Sequence, residues 1–177
     1  MYKLLVGLGN PGKSYQNTRH NLGSFLVEKY TQRHHAELLK KPGFKANIGQ
    51  IRAGESKIIL ATPATFMNLS GQPISKIINF YKITPQNIYV AHDDLDIEVG
   101  ESKIQFDRGP AGHNGIKSII EQLSNHQFWR IRIGINHPTD NIDVEDYVLM
   151  PPTTDEKSKI NQTIDKILDS LDKILGL

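Results

Sequence analysis

Three observations predict a single three-layer α/β domain, a mixed β-sheet with helices on both faces. Short β-rich runs alternate with segments of helical period, the pattern of a sheet covered by the helices that connect its strands. Two of the runs are joined by Ala53-Gly54-Glu55-Ser56, a turn-rich link that makes some of the pairing antiparallel. The chain has 177 residues and shows no internal repeat, low-complexity tract or long linker. That length suits one domain of about 100 to 200 residues.

The elements follow in order. Residues 3–8 read as a buried strand, and 22–35 as a helix because Leu22, Phe25, Leu26 and Tyr30 recur at helical spacing. Residues 44–52 and 57–61 are the two strands of the hairpin. A helix over 70–81 turns Ile74, Ile77, Ile78 and Tyr81 to one side, and Pro85 closes the segment after it. Residues 87–91 form a compact apolar strand that runs into His92-Asp93-Asp94, and 102–106 form another strand. Ile116, Ile119, Ile120 and Leu123 mark a helix over 114–123, whereas Ile131, Ile133 and Ile135 alternate as a half-buried strand over 129–135. The last helix occupies 154–175.

Composition narrows the chemistry. The chain contains no cysteine, which removes disulfides, a thiolate nucleophile and cysteine-ligated metals, and favours a reducing compartment. Met1 to Val6 is too short an apolar run for a signal peptide or membrane span, so a cytoplasmic protein is expected. The net charge of +2 leaves a nucleic-acid partner to be decided by where the cations sit.

Ligands of such sheets gather at strand ends. Gly7-Leu8-Gly9-Asn10-Pro11-Gly12 has the spacing of a dinucleotide loop, but residues 13–20 show no apolar helix face and Pro11 suggests a turn, so a sharp loop carrying Asn10 is the better reading. His20 stands in a polar loop, with Asn21 as a cap for the next helix. A carboxylate at a strand end, Asp93, can hold a neutral imidazole in one tautomer and stabilise its cation. Ser70 lacks a nucleophile elbow and is expected to cap the helix after it. Water activated by His20 is then the simplest nucleophile. Alternating positions on an extended chain face opposite ways, which divides the acidic cluster Asp93, Asp94, Asp96 and Glu98, and no His-x-x-x-His or Glu-containing zinc motif appears, so no metal site is expected. Asn10, Asn68 and Asn114 lie in separate loops; together they supply uncharged donors around a polarised carbonyl.

At these residues the chain resembles bacterial-type peptidyl-tRNA hydrolase. The likeness runs through Val6 to Gly12, Tyr15, Thr18-Arg19-His20-Asn21, Thr65 to Gly71, His92 to Asp96, Gly112-His113-Asn114-Gly115 and Arg132 to Ile135. It implies hydrolysis of the ester between a peptide and the 3′ end of tRNA by a monomer that needs no cofactor and no obligate protein partner. It makes His20 the base and Asp93 its orienting partner. Asn10, Asn68 and Asn114 would bind the peptide main chain and the 3′ nucleotide, with Tyr15, Met67 and His113 completing the substrate cleft. Lys103 and Arg132 match positions used towards tRNA phosphate, with Arg108, Lys117 and Arg130 as helpers. Gln105 stands where a second basic residue is common, 106–111 replaces a more glycine-rich stretch, and the chain stops soon after the last helix. Two rivals are an idle RNA-binding module and a hydrolase of another small ester or amide. Protonation of His20 is expected to depress the rate below about pH 6.

Overall fold

The computed structural model describes residues 1–139 and 141–177. Seven strands form one sheet: β1 (Tyr2–Gly7), β2 (Leu39–Lys41), β3 (Ala46–Ala53), β4 (Ser56–Pro63), β5 (Ile88–Asp94), β6 (Ser102–Phe106) and β7 (Trp129–Gly134). Their spatial order is β2-β3-β4-β1-β5-β7-β6. The central pairs β4·β1, β1·β5 and β5·β7 are parallel, and the outer pairs β2·β3, β3·β4 and β6·β7 are antiparallel. The mixed sheet is therefore a parallel centre flanked by a hairpin on one side and a returning strand on the other.

Alternation along the strands builds two cores. Leu5, Ile58, Leu60 and Ile133 pack on one face beneath α1 (Leu22–Arg33) and α5 (Thr154–Leu175), with Tyr147 and Val148 of α4 (Val144–Val148) joining them. Leu4, Val6, Ile59 and Val90 pack on the other face beneath α2 (Gly71–Tyr81) and α3 (Asn114–Leu123). Successive residues of β1 thus feed opposite layers, as the period of two requires. The expected strand 102–106 and helices 114–123 and 154–175 coincide with β6, α3 and α5. The helix expected over 22–35 ends at Arg33, and neither three-residue β2 nor five-residue α4 was anticipated.

Two glycines set how closely α1 approaches the sheet. A Cβ on Gly23 would lie 2.1 Å from the Ala91 carbonyl oxygen, and one on Gly7 would lie 2.2 Å from the Gly23 carbonyl oxygen. Backbone meets backbone there, and Ser24 completes the seam by donating its N–H to Leu8 O (2.9 Å) and its hydroxyl to Gly7 O (3.1 Å). Gly7 therefore serves helix packing, while Gly12 (φ +104°) lies in a turn and α1 begins only at Leu22. A dinucleotide loop would open directly into its helix; this one does not.

Chain order reverses direction at β1, whose neighbours β4 and β5 are both reached after it and lie on opposite sides. The crevice beyond the C-terminal end of β1 is such a sheet's natural ligand position.

Candidate active site

His20 sits in a short 3-10 turn, Arg19–Asn21, between β1 and α1. Its neighbours anchor the turn. Arg19 donates to the carbonyls of Tyr147, Met150 and Pro151 (3.4, 3.2 and 3.0 Å), pairs with Glu156 at 2.7 Å and lies over the Tyr147 ring. Asn21 does not cap α1, contrary to expectation. Its Oδ1 accepts from Asn10 N at 2.8 Å and its Nδ2 donates to Asn10 O at 2.9 Å, which clasps the loop after β1.

Asp93 is the penultimate residue of β5 and is 2% exposed. Both its oxygens lie 3.0 Å from His20 Nδ1, and Oδ1 lies 2.9 Å from His113 Nε2. An ionised carboxylate only accepts, so both imidazoles donate to it. The second partner was not foreseen. His113 caps α3: its Nδ1 accepts from Gly115 N (3.2 Å) and Ile116 N (3.3 Å), which leaves the proton on Nε2. Both nitrogens of His113 are thus engaged inside the protein. His92, with its ring centroid 4.8 Å from that of His113, donates Nδ1 to Asp93 O at 2.7 Å.

The electrostatics follow from this burial. Desolvation alone would raise the Asp93 carboxyl, but the charges and hydrogen bonds of His20 and His113 outweigh it and hold Asp93 far below the usual carboxylate range. Desolvation likewise lowers His20, and the Asp93 charge and hydrogen bond overcome it, so His20 titrates above its ordinary 6.5. For His92 the balance goes the other way: burial first, and then neighbouring His113, push it down to about 3 against the weaker support of Asp93 and Asp94. His20 is therefore the ring poised to take a proton, and its remaining nitrogen is Nε2.

His20, Asp93, His113 and Asn114 line one cavity of about 280 Å³, walled on its apolar side by Leu95, Val144 and Val148. Asn10 lines a second, of about 410 Å³, with Asn21, Lys13, Asn47 and Thr62. Both members of the Asn10–Asn21 clasp line this second cavity, and Asn21 directly follows His20 of the first. Asn10 Oδ1 accepts from Met67 N at 2.8 Å, which leaves its Nδ2 as the donor for a ligand. Met67 is 5% exposed and packs in the core, where its sulfur would lie 2.5 Å from a Cβ on Gly115. Asn68 is exposed on the 3-10 turn Met67–Leu69. Tyr15 is half-buried and meets the exposed ring of Phe66 edge-on, a neighbour not singled out from sequence. Ser70 donates its hydroxyl to Met67 O at 2.7 Å and makes no cap bond to α2, another correction.

The cations divide sharply. Lys103 on β6 is exposed, as are Arg108 and Lys117. Arg132 is buried, giving Nε to Asp94 at 2.7 Å and Nη1 to Gln105 Oε1 at 2.6 Å. Arg130, 1% exposed, donates to the carbonyls of Phe128, Arg108 and His126 and lies against the Phe128 ring. Burial lowers it to about 9. Both arginines stand on β7, which lies between β5 and β6 instead of at an edge, and each is held by these interior partners.

The His20 and His113 nitrogens and the Asp93 carboxylate lie within 4.8 Å of one another and so have the composition of a metal site. The fit is poor: His113 Nδ1 already accepts two backbone N–H groups, so Nε2 offers a proton rather than a lone pair. Asp94 and Asp96 turn elsewhere, to Arg132 and His137. No helix among the described residues is long and apolar enough to cross a membrane.

Residues 4–176 match the profile of the family described as peptidyl-tRNA hydrolase. The chain is 39% identical over 175 residues to a peptidyl-tRNA hydrolase of Dichelobacter nodosus, covering 99% of this chain and 93% of that one. It is 42% identical over 174 residues to one from Ruthia magnifica, covering 98% and 91%. Its fold is similar to the crystal structure of peptidyl-tRNA hydrolase from Acinetobacter baumannii, with a TM-score of 0.92 and 36% identity over 97% of this chain and 87% of that one.

Proposed function

The chain belongs to the peptidyl-tRNA hydrolase family, esterases that hydrolyse peptidyl-tRNA, and from that premise we propose that His20 is the base that activates water for the reaction. The observation that carries this reading is the contact of His20 Nδ1 with the Asp93 carboxylate, which leaves Nε2 as the nitrogen available to a water in the cavity. Nε2 takes a proton as the water oxygen bonds to the ester carbonyl carbon. Asp93, already ionised, stabilises the imidazolium without accepting its proton. The amides of Asn10, Asn68 and Asn114 donate to the peptide carbonyls and to the oxyanion. Collapse breaks the bond to the 3′ oxygen of the terminal ribose, which takes the proton from His20. The products are tRNA with a free 3′ hydroxyl and a peptide carboxylic acid, which releases its proton to solvent as the carboxylate.

Exposed Lys103 is the cation of this site that meets a tRNA phosphate, and the tyrosine ring of Tyr15 packs near the cleft with Phe66. Every group named comes from one chain, which suits a monomer working in the cytoplasm. Peptide release from N-blocked aminoacyl-tRNA tests the reading. His20→Ala is expected to lose about 10²- to 10⁴-fold in turnover while tRNA binding persists, and turnover equal to the wild type would overturn the assignment.

A further inference from the structure

Charge is unevenly distributed along the chain. Between residues 38 and 92 stand seven lysines and arginines against the single carboxylate of Glu55, a net of +6. The whole chain carries +2, so the remainder sums to −4. Its cations stand on β2, β3, β4, α2 and the loops beside them, on the half of the sheet opposite to β6.

Part of this charge surrounds an aromatic cluster. Phe44 meets Phe80 edge-on at 5.3 Å and Tyr81 at 6.5 Å, and Tyr81 in turn meets Tyr2 at 5.1 Å. Phe80 is 67% exposed at the C-terminal end of α2. Lys76 reaches across to the Gly43 carbonyl at 3.2 Å, and Lys82 follows Tyr81 directly. Lys41 pairs with Ala46, a residue of the core beneath α2, so it stands on the same face of the sheet as that helix. Lys45 and Lys82 hold left-handed backbone, φ 54° and 53°, where glycine would be the less strained residue. Among the described residues none of Lys41, Lys45, Lys76 and Lys82 pairs with a carboxylate.

We propose that this face, built from Phe44, Phe80 and the lysines 41, 45, 76 and 82, is a second RNA-binding surface, separate from the phosphate contact at Lys103. Unpaired cations track phosphates, and an exposed ring among them stacks an unpaired base without regard to sequence. An acidic protein segment would use the charge but leave the ring idle, which favours RNA. Lys103 lies on the other edge strand, six strand spacings away, or roughly 29 Å at about 4.8 Å each. The face is nevertheless linked to the site: Ala64 donates its N–H to Lys45 O at 2.8 Å and lines the cavity shared with Asn10. RNA held here lies beside the substrate groove.

The test uses a fluorescent, unstructured 12-nucleotide RNA, the full-length protein, and the exposed-residue variants Lys41→Gln/Lys45→Gln/Lys76→Gln/Lys82→Gln and Phe80→Ser. Anisotropy titrations from 50 to 200 mM salt are expected to give binding whose log–log salt slope shrinks by about 3 in the quadruple variant, at about 0.7 per phosphate released. Phe80→Ser is expected to weaken binding about tenfold with the slope unchanged. Hydrolysis of a peptidyl ester of a short 3′-terminal oligonucleotide is measured alongside, so failure of the catalytic reading is seen separately. Unchanged affinity and slope in the quadruple variant would overturn the proposal. So would binding of a poly-glutamate peptide that depends on the four lysines while RNA binding does not.

Discussion

Replacing Asp93 with asparagine changes almost no volume and removes one charge, yet the geometry predicts two separable kinetic effects. The carboxylate accepts His20 Nδ1 on both oxygens at 3.0 Å and His113 Nε2 on one at 2.9 Å. Asparagine has one oxygen and an NH₂ group. His113 cannot reverse its tautomer, because Nδ1 is occupied by the N–H groups of Gly115 and Ile116. The amide oxygen therefore stays with His113, and the amide NH₂ faces His20 Nδ1. Two donors cannot share that contact, so the His20 proton moves to Nε2 and the lone pair needed for water is lost. The plateau rate is expected to fall about 10²- to 10⁴-fold. The second effect is on pH. In the wild type, Asp93 holds His20 above 6.5 against its burial, so the unprotonated base, and with it the rate, is lost as pH falls through a value above 6.5. This is higher than the pH of about 6 expected from the sequence, because the Asp93 charge outweighs the burial of the ring. Without the Asp93 charge only burial remains, and the acid limb of Asp93→Asn moves below 6.5. Each tenfold displacement along the proton-concentration axis reports about 1.4 kcal/mol of electrostatic support. Initial rates of peptide release between pH 5 and 9, with circular dichroism to verify folding, read both effects. A plateau within about threefold of wild type, or an acid limb at or above the wild-type one, would refute the reasoning.

Other outcomes follow from the same contacts. Gly23→Ala puts a Cβ 2.1 Å from Ala91 O and is expected to cost about 3 kcal/mol or more in urea unfolding, with a loss of turnover because α1 carries the His20 turn; wild-type stability would show that the seam can open. Burial keeps His92 neutral down to about 3, so its contribution to stability is complete above the unfolded value near 6.5 and is lost as pH falls from there. At pH 5 that loss amounts to about 2 kcal/mol, and His92→Asn, which retains a donor for Asp93 O, should lessen the acid loss by that amount in unfolding curves at pH 7.5 and 5. Lys103→Ala is expected to raise KM for full-length substrate, leave kcat unchanged and reduce the salt slope by about 1. Arg132→Ala instead leaves Asp94 buried and unpaired, costing about 3 to 5 kcal/mol of stability; a Lys103-like kinetic effect without destabilisation would contradict its interior placement.

Most of the architecture is legible in the sequence because apolar residues recur with distinct periods, and β6, α3 and α5 match their expected bounds. Elements of three or five residues, β2 and α4, offer too few positions for a period to register. His20 and Asp93 are legible as a pair from their chemistry, since a polar loop and a strand end are where such groups act. The double use of Asp93 is not, because a histidine that caps α3 through Nδ1 looks no different in sequence from one that faces a ligand. The burial of Arg130 and Arg132 is hidden for a related reason. Alternating with Ile131 and Ile133, they resemble the wet face of a half-buried strand, and the burial of both arginines on a strand set between β5 and β6 emerges only from the structure. Asn21, too, sits where a cap belongs but spends its amide on the main chain of Asn10.

The seam at Gly7 and Gly23 separates two kinds of tolerance. Where side chains set the distance between a helix and a sheet, each exchange of leucine for valine or isoleucine shifts the helix, and drift in the core becomes drift in the site. Here main-chain atoms are the spacer, of a size that no neighbouring substitution alters. The layers above and below can exchange apolar residues while His20 keeps its distance from Asp93, so divergence in the interior is uncoupled from the geometry of proton transfer.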